Sequence, residues 1–273
     1  MRRNLSFEFA SRSDVGLKRS QNQDACGKFP PDNSDLYSDR GQLFIVADGL
    51  GGHRGGQEAS RMAVDIVQQT FFSAENLSII QRLKDALETA NNQIYERASK
   101  TPDLNGMGTT CTALALSHRK AFIAHVGDSR VYRIHRQKIE QLTQDHSQIA
   151  ELQREGVLTP EQARFHPQRS ILNRALGVQP TVEVDLIENL TLHPDDYFIL
   201  CTDGLAKVEM EEIKNLILTN PLIQACDKLI QLANDRGGED NVTVQIIRIT
   251  GSTTPWDKML TWIKSIILKI KNS

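Results

Sequence analysis

The sequence predicts an α+β fold in which antiparallel sheets pack against one another and helices lie outside them. Two observations support this prediction. Strand-like segments occur at both ends of the chain and throughout its middle, whereas the helical segments come in two pairs. The order is therefore strands, two helices, many strands, two helices and a final strand. Because this is not a strict alternation of strands and helices, a doubly wound parallel sheet is not expected.

The first half of the chain supplies two strands and the first pair of helices. Residues 5–10 (LSFEFA) predict an initial strand, and residues 41–47 (GQLFIVA) form a continuous apolar run that predicts a strand buried on both faces. Apolar residues then recur at helical spacing from Gly56, and again over about 76–99. Polar and Pro-rich composition predicts two loops, at 18–24 and 29–41.

The second half opens with three segments, TTCTALALS, KAFIAHV and RVYRIHR, which predict consecutive antiparallel strands joined by short turns. A charged helical segment follows at 145–168, with a second helix start at Thr159-Pro160. The remaining predicted elements are the strands VEVDLIE and YFILCTD, helices at about 209–219 and 221–235, and the last strand VTVQIIRI.

Composition excludes several classes of protein. A chain of 273 residues with a net charge of −2 suits one large domain or two small ones and gives no support for bulk nucleic-acid binding. The four cysteines are widely spaced without a C-x-x-C pair, so no zinc or redox framework is expected. The N-terminus lacks an apolar signal sequence, and no uncharged apolar run reaches ~18 residues. We therefore expect a cytoplasmic protein with reduced thiols.

Four aspartates share a context that suggests a site. Asp48-Gly49, Asp128 and Asp203 each follow an apolar run, and Asp240 comes just before one. Any one of them alone is more often an ordinary turn residue. Four in the same context suggest strands that converge on one pole, where carboxylate oxygens collect as ligands for hard divalent cations.

A carboxylate followed by a backbone carbonyl, as at Asp48-Gly49, suits Mg²⁺ or Mn²⁺, and Asp203 and Asp240 are candidates to complete a shared site. Two such ions ~3.5–4 Å apart hold a water between them, lower its pKa and direct it at phosphorus. In the segment GLKRSQNQDA, Arg19 is suited to grip a phosphate and Asp24 to hold metal-bound water. The alternative for this last pair is a surface ion pair.

A protein nucleophile finds no support in the sequence. A cysteine-dependent phosphatase needs Arg six positions after its Cys, and none of the four cysteines has one. Neither a G-x-x-x-x-G-K-[ST] loop nor a G-x-G-x-x-G loop is present, and no two histidines fall within five positions. An activated water is the nucleophile that remains.

Eight motifs in order resemble the metal-dependent protein phosphatases of type 2C, in their compact bacterial form. The match runs from about Ser11 to Ile249, and the motifs that carry it read GLKRSQNQDA, VADGLGGHRGG, MGTTCTALAL, HVGDSRVYRI, LTQDHS, HPQRSILNRALG, CTDGL and GGEDNVTV. The resemblance implies a four-layer α-β-β-α sandwich of two antiparallel sheets flanked by helix pairs, with the metals at one end. It also implies a catalytic domain over 1–250, with a flap at about 145–170.

The resemblance further implies a role for each matching residue. Arg19 would bind the substrate phosphate, and His53 would lie near the leaving group. Six residues would serve metals: Asp48 bridging two ions, Gly49 through its carbonyl, Asp203 and Asp240 on the second ion, Asp24 through water, and Asp128 with Asp203 on a third, weaker ion.

The chain departs from the family pattern at one position. Some members carry a His directly after the metal-binding Asp-Gly, where it serves as general acid, but here that position is Leu50. The proton donor is therefore left open between His53 and a metal-bound water. His53 as a loop residue without a catalytic role is the alternative.

The flap carries charged residues that would touch a phosphoprotein: His146, Glu151, Arg154 and Arg164. We expect His146 to bind substrate, the alternative being a solvated face. After Ile249 the chain holds four Lys and one Asp, and its apolar residues recur at helical spacing. Residues 251–273 are therefore predicted to form a basic amphipathic helix for a membrane surface, for docking on the catalytic domain, or for a partner contact through 255–271.

The predicted function is Mn²⁺- or Mg²⁺-dependent hydrolysis of phosphoserine and phosphothreonine in proteins by a metal-bridging water or hydroxide. Two core ions and a third are expected, in a monomer that acts on phosphoproteins and opposes a Ser/Thr kinase, without nucleic acid. Contact through residues 255–271 would place the protein peripherally at the inner face of the membrane. Two alternatives are a phosphoprotein-binding module without turnover, and a hydrolase of small phosphate esters or cyclic nucleotides.

Overall fold

Two antiparallel sheets lie at the centre of the computed structural model, which describes residues 5–30, 41–50, 53–159, 162–163, 166, 168 and 171–251. The strands are β1 (Leu5–Asp14), β2 (Asp24–Phe29), β3 (Gln42–Leu50), β4 (Gly108–Thr109), β5 (Cys111–Ser117), β6 (Lys120–Val126), β7 (Arg130–His135), β8 (Lys138–Gln141), β9 (Asp185–Thr191), β10 (Tyr197–Cys201) and β11 (Val242–Gly251). The helices are α1 (His53–Ser73), α2 (Ile79–Lys100), α3 (Gln148–Arg154), α4 (Met210–Thr219) and α5 (Leu222–Asp235), with short 3₁₀ turns at Pro102–Leu104 and Asp203–Leu205.

The first sheet has the order β1-β11-β10-β7-β8, and the second has the order β2-β3-β5-β6-β9, with β4 paired to the end of β3. Helices α1 and α2 cover the outer face of the second sheet, and α4 and α5 cover that of the first. A third cluster of apolar side chains fills the space between the two sheets. The predicted four-layer α-β-β-α sandwich is confirmed.

The apolar run of β3 shows why a strand in this position cannot alternate between apolar and polar residues. Phe44 and Val46 point into the space between the sheets, whereas Leu43, Ile45 and Ala47 meet the helices. All five side chains are completely buried. Since successive side chains point to opposite faces of a strand, a strand covered on both faces must be apolar at every position.

The prediction that KAFIAHV and RVYRIHR are neighbouring antiparallel strands is wrong. β6 belongs to the second sheet and β7 to the first, and residues 127–129 carry the chain from one sheet to the other. Gly127 has a φ of 112°, and a Cβ there would lie 2.5 Å from Thr110 Cγ2. A three-residue connection suits a hairpin as well as a change of sheet, so the sequence pattern alone does not separate the two.

Two edge elements escape the sequence prediction, and two predicted segments fall outside the structure. β2 includes Gly27 and is half-buried throughout, and β8 has only four residues, so neither shows a clear alternation. Residues 252–273, which include almost all of the predicted C-terminal helix, lie outside the described residues, as does Pro160. In the part that is described, no helix is long and apolar enough to cross a membrane.

Candidate metal and phosphate site

Five aspartates come together at one end of the sandwich. Asp24 lies directly opposite Asp48 in the ladder between β2 and β3. Asp128 sits in the turn between β6 and β7, Asp203 follows β10, and Asp240 precedes β11. Burial raises the pKa of Asp48 well above its usual value, and the negative charges of the other four aspartates raise it further. The structure therefore brings together all five of the predicted carboxylates.

Asp24 joins the two sheets at this end. Its Oδ2 accepts hydrogen bonds from Thr202 Oγ1 at 2.8 Å and from Thr243 Oγ1 at 2.7 Å, both of which come from the opposite sheet. Its Oδ1 is buried without a partner among the described residues. Burial raises the pKa of Asp24 to about 7, although the two threonine bonds work in the opposite direction. The carboxyl group is thus positioned on one oxygen and unsatisfied on the other.

Gly49 is held against the start of helix α1, and no larger residue fits there. A Cβ at this position would lie 2.1 Å from the carbonyl oxygen of Gly56 and 2.8 Å from that of Gln23. The absence of a side chain lets helix α1 approach the end of β3 closely. Helix α1 begins at His53, whose side chain is outside the described part of the structure.

Thr110 connects the strand end that bears Asp48 with the turn that bears Asp128. Its hydroxyl accepts a hydrogen bond from the backbone N–H of Asp48 at 2.9 Å and lies 2.8 Å from Ser129 Oγ. The carbonyl of Asp48 accepts from Thr109 Oγ1 at 2.8 Å and from the backbone N–H of Thr110 at 2.8 Å. The motif MGTTCTALAL thus contributes residues that position two of the carboxylates.

Asp128 is buried and Asp203 is half-buried in the same region. Burial raises the pKa of Asp203, repulsion by Asp240 adds to this, and a hydrogen bond shared with Asp48 opposes it. Its Oδ1 has no partner among the described residues. Burial, followed by the charge of Asp203, also raises the pKa of Asp128 well above its usual value.

Arg19 is the one predicted phosphate ligand, and it lies against Asp240. Its Nη2 donates to Asp240 Oδ2 at 2.6 Å, and about half of its side chain is exposed. Asn241 fixes the loop that carries Arg19: its Oδ1 accepts from the backbone N–H of Gln23 at 2.8 Å, and its Nδ2 donates to two carbonyls of residues 15 and 21. Asn241 is not among the predicted site residues, although it directly follows Asp240 in the sequence.

The residues present fit divalent cations. Two buried carboxylate oxygens lack partners, and the pKa values of four carboxyl groups are raised by burial and mutual repulsion, costs that bound cations would remove. Among the described residues, no three acidic, His or Cys side chains already surround one point as a finished metal cage. Instead, Asp203 lies close enough to Asp48 to share a proton with it, and Arg19 donates a hydrogen bond to Asp240.

The predicted flap residues lie in different environments. His146 is almost completely buried and contacts the interior, which does not support the predicted direct contact with substrate. Glu151 accepts a hydrogen bond from Asn173 Nδ2 at 2.8 Å, and Arg154 donates to Gln144 Oε1 at 3.0 Å. Arg164 lies outside the described residues.

A groove of about 800 Å³ leads away from the carboxylates. Arg19, Asp128, Asp203 and Asp240 are among the residues that line it, and we call the part of the groove beside them its inner end. One wall is formed by helix α3, and the other by the segment from Ala206 to Met210. The site therefore opens into a channel that is far larger than a phosphate group.

Comparison with known protein families identifies the family to which this chain belongs. Residues 18–245 match the family model described as protein phosphatase 2C. The chain belongs to this family. The match covers all of the predicted metal and phosphate residues, which span Arg19 to Asp240.

Relatives of this 2C-type protein support the assignment. The serine/threonine phosphatase stp of Listeria monocytogenes is 39% identical over 244 residues, which is 86% of this chain and 93% of that protein. The crystal structure of the serine/threonine phosphatase Stp1 from Staphylococcus aureus has a TM-score of 0.81 at 36% identity and covers 92% of this chain and 98% of its own. The catalytic domain of the phosphatase PstP, solved in complex with two manganese ions, has a TM-score of 0.76 at 30% identity and covers 90% and 100%.

Proposed function

We propose that this 2C-type protein is a metal-dependent phosphatase that hydrolyses phosphoserine and phosphothreonine in proteins. The observation that carries the proposal is the convergence of five aspartates, three of which line a groove together with Arg19. Relatives named serine/threonine phosphatases, similar over most of both chains, support the same activity.

The aspartates would hold two core ions and a third, with Mn²⁺ or Mg²⁺ as the candidates. Asp48 and the carbonyl of Gly49 would contribute to the core site together with Asp203 and Asp240, Asp24 would act through water, and Asp128 would serve the third ion. The two manganese ions in the related PstP structure support Mn²⁺ in the core site. Bound divalent cations supply a water of lowered pKa and neutralise charge that develops on the phosphate.

The protein's own residues orient this chemistry. Thr202 and Thr243 fix one oxygen of Asp24, which leaves the other free to point into the site. The guanidinium of Arg19 would hold the phosphate oxygens with its planar fork once it leaves Asp240. We propose His53 as the candidate that protonates the leaving group, because Leu50 carries no proton to donate.

The groove favours a protein substrate over a small phosphate ester. Its walls include Ala150, Met210 and Lys207, which offer apolar and charged contacts for a polypeptide on either side of the phosphorylated residue. Hydrolysis of small esters is the second candidate, since the inner end of the groove alone would accommodate them. A module that binds phosphoproteins without turnover is less well supported, because none of the expected aspartates is replaced.

A phosphate-release assay tests the proposed activity. Metal-free protein is titrated with Mn²⁺ in the presence of a phosphothreonine peptide, alongside Asp240→Ala and the exposed control variant Asp227→Ala. We expect Mn²⁺-dependent release with the wild type and the control, and loss of release with Asp240→Ala. Near wild-type turnover by Asp240→Ala would refute the assignment of Asp240.

Residues 251–273 extend the proposal beyond the catalytic site. Their basic and apolar pattern supports peripheral contact with an anionic membrane surface. Sedimentation with anionic liposomes, comparing the full chain with a chain that ends at Thr250, tests this contact. Equal pelleting of the two chains would rule it out and would favour docking or partner binding.

A further inference from the structure

The dipeptide Asp145-His146 connects two parts of the site that are distant in sequence: the turn that carries Asp128 and the flap. On one side of it lies the turn between β6 and β7, residues 127–129, which carries Asp128 and leads into Arg130, the first residue of β7. On the other side begin Ser147 and helix α3, the first part of the flap and one wall of the groove. Hydrogen bonds of these two residues reach the turn, the segment that closes the flap, and two strands, β8 through Gln141 and β9 through Asp185.

Two hydrogen bonds attach His146 to the turn. Its backbone N–H donates to the carbonyl of Gly127 at 2.8 Å, and its Nδ1 accepts from the backbone N–H of Gly127 at 3.1 Å. Because a backbone N–H can only donate, Nδ1 must be unprotonated, and the ring proton of the neutral imidazole is on Nε2. Burial lowers the pKa of His146, which keeps the ring neutral.

Asp145 attaches to the other end of the same turn. Both of its oxygens accept from the Arg130 guanidinium, Nη2 to Oδ2 at 2.6 Å and Nε to the two oxygens at 3.0 and 3.1 Å. The pair is only partly exposed, and this bidentate geometry is the strongest form of ion pair between side chains. Residues 127 and 130, which flank Asp128, are therefore both fixed by this one dipeptide.

Two further hydrogen bonds of His146 lead to Asp185 at the start of β9 and to the segment 171–174, which we name the return segment because it closes the flap. The carbonyl of His146 accepts from the backbone N–H of Asn173 at 2.7 Å, and Nε2 donates to Asp185 Oδ2 at 3.0 Å. Asp185 also accepts from Arg174 Nη1 at 2.7 Å. Burial alone would raise the pKa of Asp185, but the bonds from His146 and Arg174 outweigh it and lower that pKa, so the carboxylate stays charged.

The flap is tied to the return segment as well. The backbone N–H of Gln148 donates to the carbonyl of Ile171 at 3.0 Å, and Asn173 Nδ2 donates to Glu151 Oε2 at 2.8 Å. Hydrogen bonds thus connect helix α3, one wall of the groove, to the return segment. His146 connects both of them to the turn that carries Asp128.

We infer that His146 is a positioning residue that couples the turn carrying Asp128 to the flap wall of the groove, with Asp145 as its companion. It acts through neighbouring residues and does not touch the substrate. The inference rests on the proposed function for its effect on substrates, because a polypeptide bound at the carboxylates would extend along the groove past the residues of helix α3 that line it. A small ester such as p-nitrophenyl phosphate would occupy only the inner end of the groove.

Two variants separate the bonds of His146. Asn in its place keeps an acceptor near the position of Nδ1 but is too short to reach Asp185, and Gln keeps a donor near the position of Nε2 but loses the acceptor for Gly127. The matched control is His135→Asn, since His135 Nδ1 makes the same kind of bond to the buried Asp196, at 2.6 Å, away from the flap. A further variant, Asp145→Asn, preserves the shape of the side chain and removes its negative charge, which weakens the pair with Arg130.

Two measurements are made on all variants. The KM for a phosphothreonine peptide is expected to rise about tenfold in His146→Asn and His146→Gln, while kcat/KM for p-nitrophenyl phosphate changes less than about twofold. Amide hydrogen exchange of residues 149–158, measured in EDTA, is expected to be about tenfold faster in these variants and unchanged in His135→Asn.

Equal losses on both substrates, or unchanged exchange of residues 149–158, would overturn the coupling role. So would an equal acceleration in His135→Asn, which would indicate a general loss of stability. Hydrogen exchange needs no turnover, so the coupling is tested even where the wild type fails to hydrolyse the peptide. That last result would overturn the proposed function instead.

Discussion

Asp24 and Asp48 are direct cross-strand partners at the end of the β2–β3 ladder, and both are half-buried. Like charges in this arrangement destabilise a sheet. Burial without a counterion adds to the cost, because it removes the carboxylates from water. The arrangement is understandable as a site that divalent cations complete, in which local stability is sacrificed for binding.

The first prediction concerns Asp24→Asn. The change removes one of two facing carboxyl charges, so the free energy of unfolding in EDTA is expected to rise by about 1 kcal/mol, which corresponds to roughly 2–4 °C in Tm. The same variant is expected to lose part of the stabilisation that Mn²⁺ gives the wild type. Thermal unfolding with and without Mn²⁺ measures both. A lower Tm in EDTA would contradict the account.

The second prediction concerns the pH dependence of the metal-free protein. Asp24 has a pKa of about 7 in the folded state, compared with about 3.9 when unfolded. The folded state therefore binds more protons than the unfolded state between these values, so stability should be highest below about pH 4 for this group and fall as pH rises towards 7. Chemical unfolding in EDTA at several pH values measures the trend, which saturating Mn²⁺ should weaken. A rise over this window in EDTA would contradict the assignment.

The third prediction concerns Thr110→Val. The valine has nearly the same shape but leaves the backbone N–H of Asp48 without its acceptor, which is expected to cost about 1–3 kcal/mol and to weaken Mn²⁺ binding. Titration calorimetry and urea unfolding measure the two effects. Thr250→Val is the control, because the Thr250 hydroxyl bonds to Ser6 Oγ at the far end of β11. Wild-type Mn²⁺ affinity in Thr110→Val would show that Thr110 does not position Asp48.

The fourth prediction concerns Arg19→Ala. The loss of charge-assisted bonds to phosphate is expected to lower kcat/KM roughly 10- to 100-fold. Mn²⁺ affinity should stay the same or increase, because Arg19 is hydrogen-bonded to Asp240 in the metal-free protein and competes with the metal for that carboxylate. Steady-state kinetics and Mn²⁺ titration give the two values. Weaker Mn²⁺ binding in this variant would argue against competition between Arg19 and the metal for Asp240.

Much of this fold and its pole could be predicted because the signals were local. The continuous apolar run of β3 and the helical stripe of α2 were visible in the sequence, and both are confirmed. The position of the aspartates at strand ends predicted that they lie close together, since the strand ends of a sandwich lie at the ends of the domain.

The rest depends on contacts between distant residues. Thr202 and Thr243 look like ordinary strand residues, yet both bind Asp24 across the sheets. His146 was expected on the surface because it lies in a charged segment, but its ring is enclosed by residues 127 and 185, far from it in sequence. The change of sheet at Gly127 is of the same kind, because only the pairing of β7 with β10 reveals it.

The central claim is that these aspartates form a divalent metal centre, and anomalous diffraction at the manganese edge tests it most directly. Crystals soaked in Mn²⁺ are expected to show two strong anomalous peaks enclosed by Asp48, Asp203 and Asp240, and a weaker peak beside Asp128. Anomalous peaks located elsewhere, with none among these carboxylates at saturating Mn²⁺, would contradict the account.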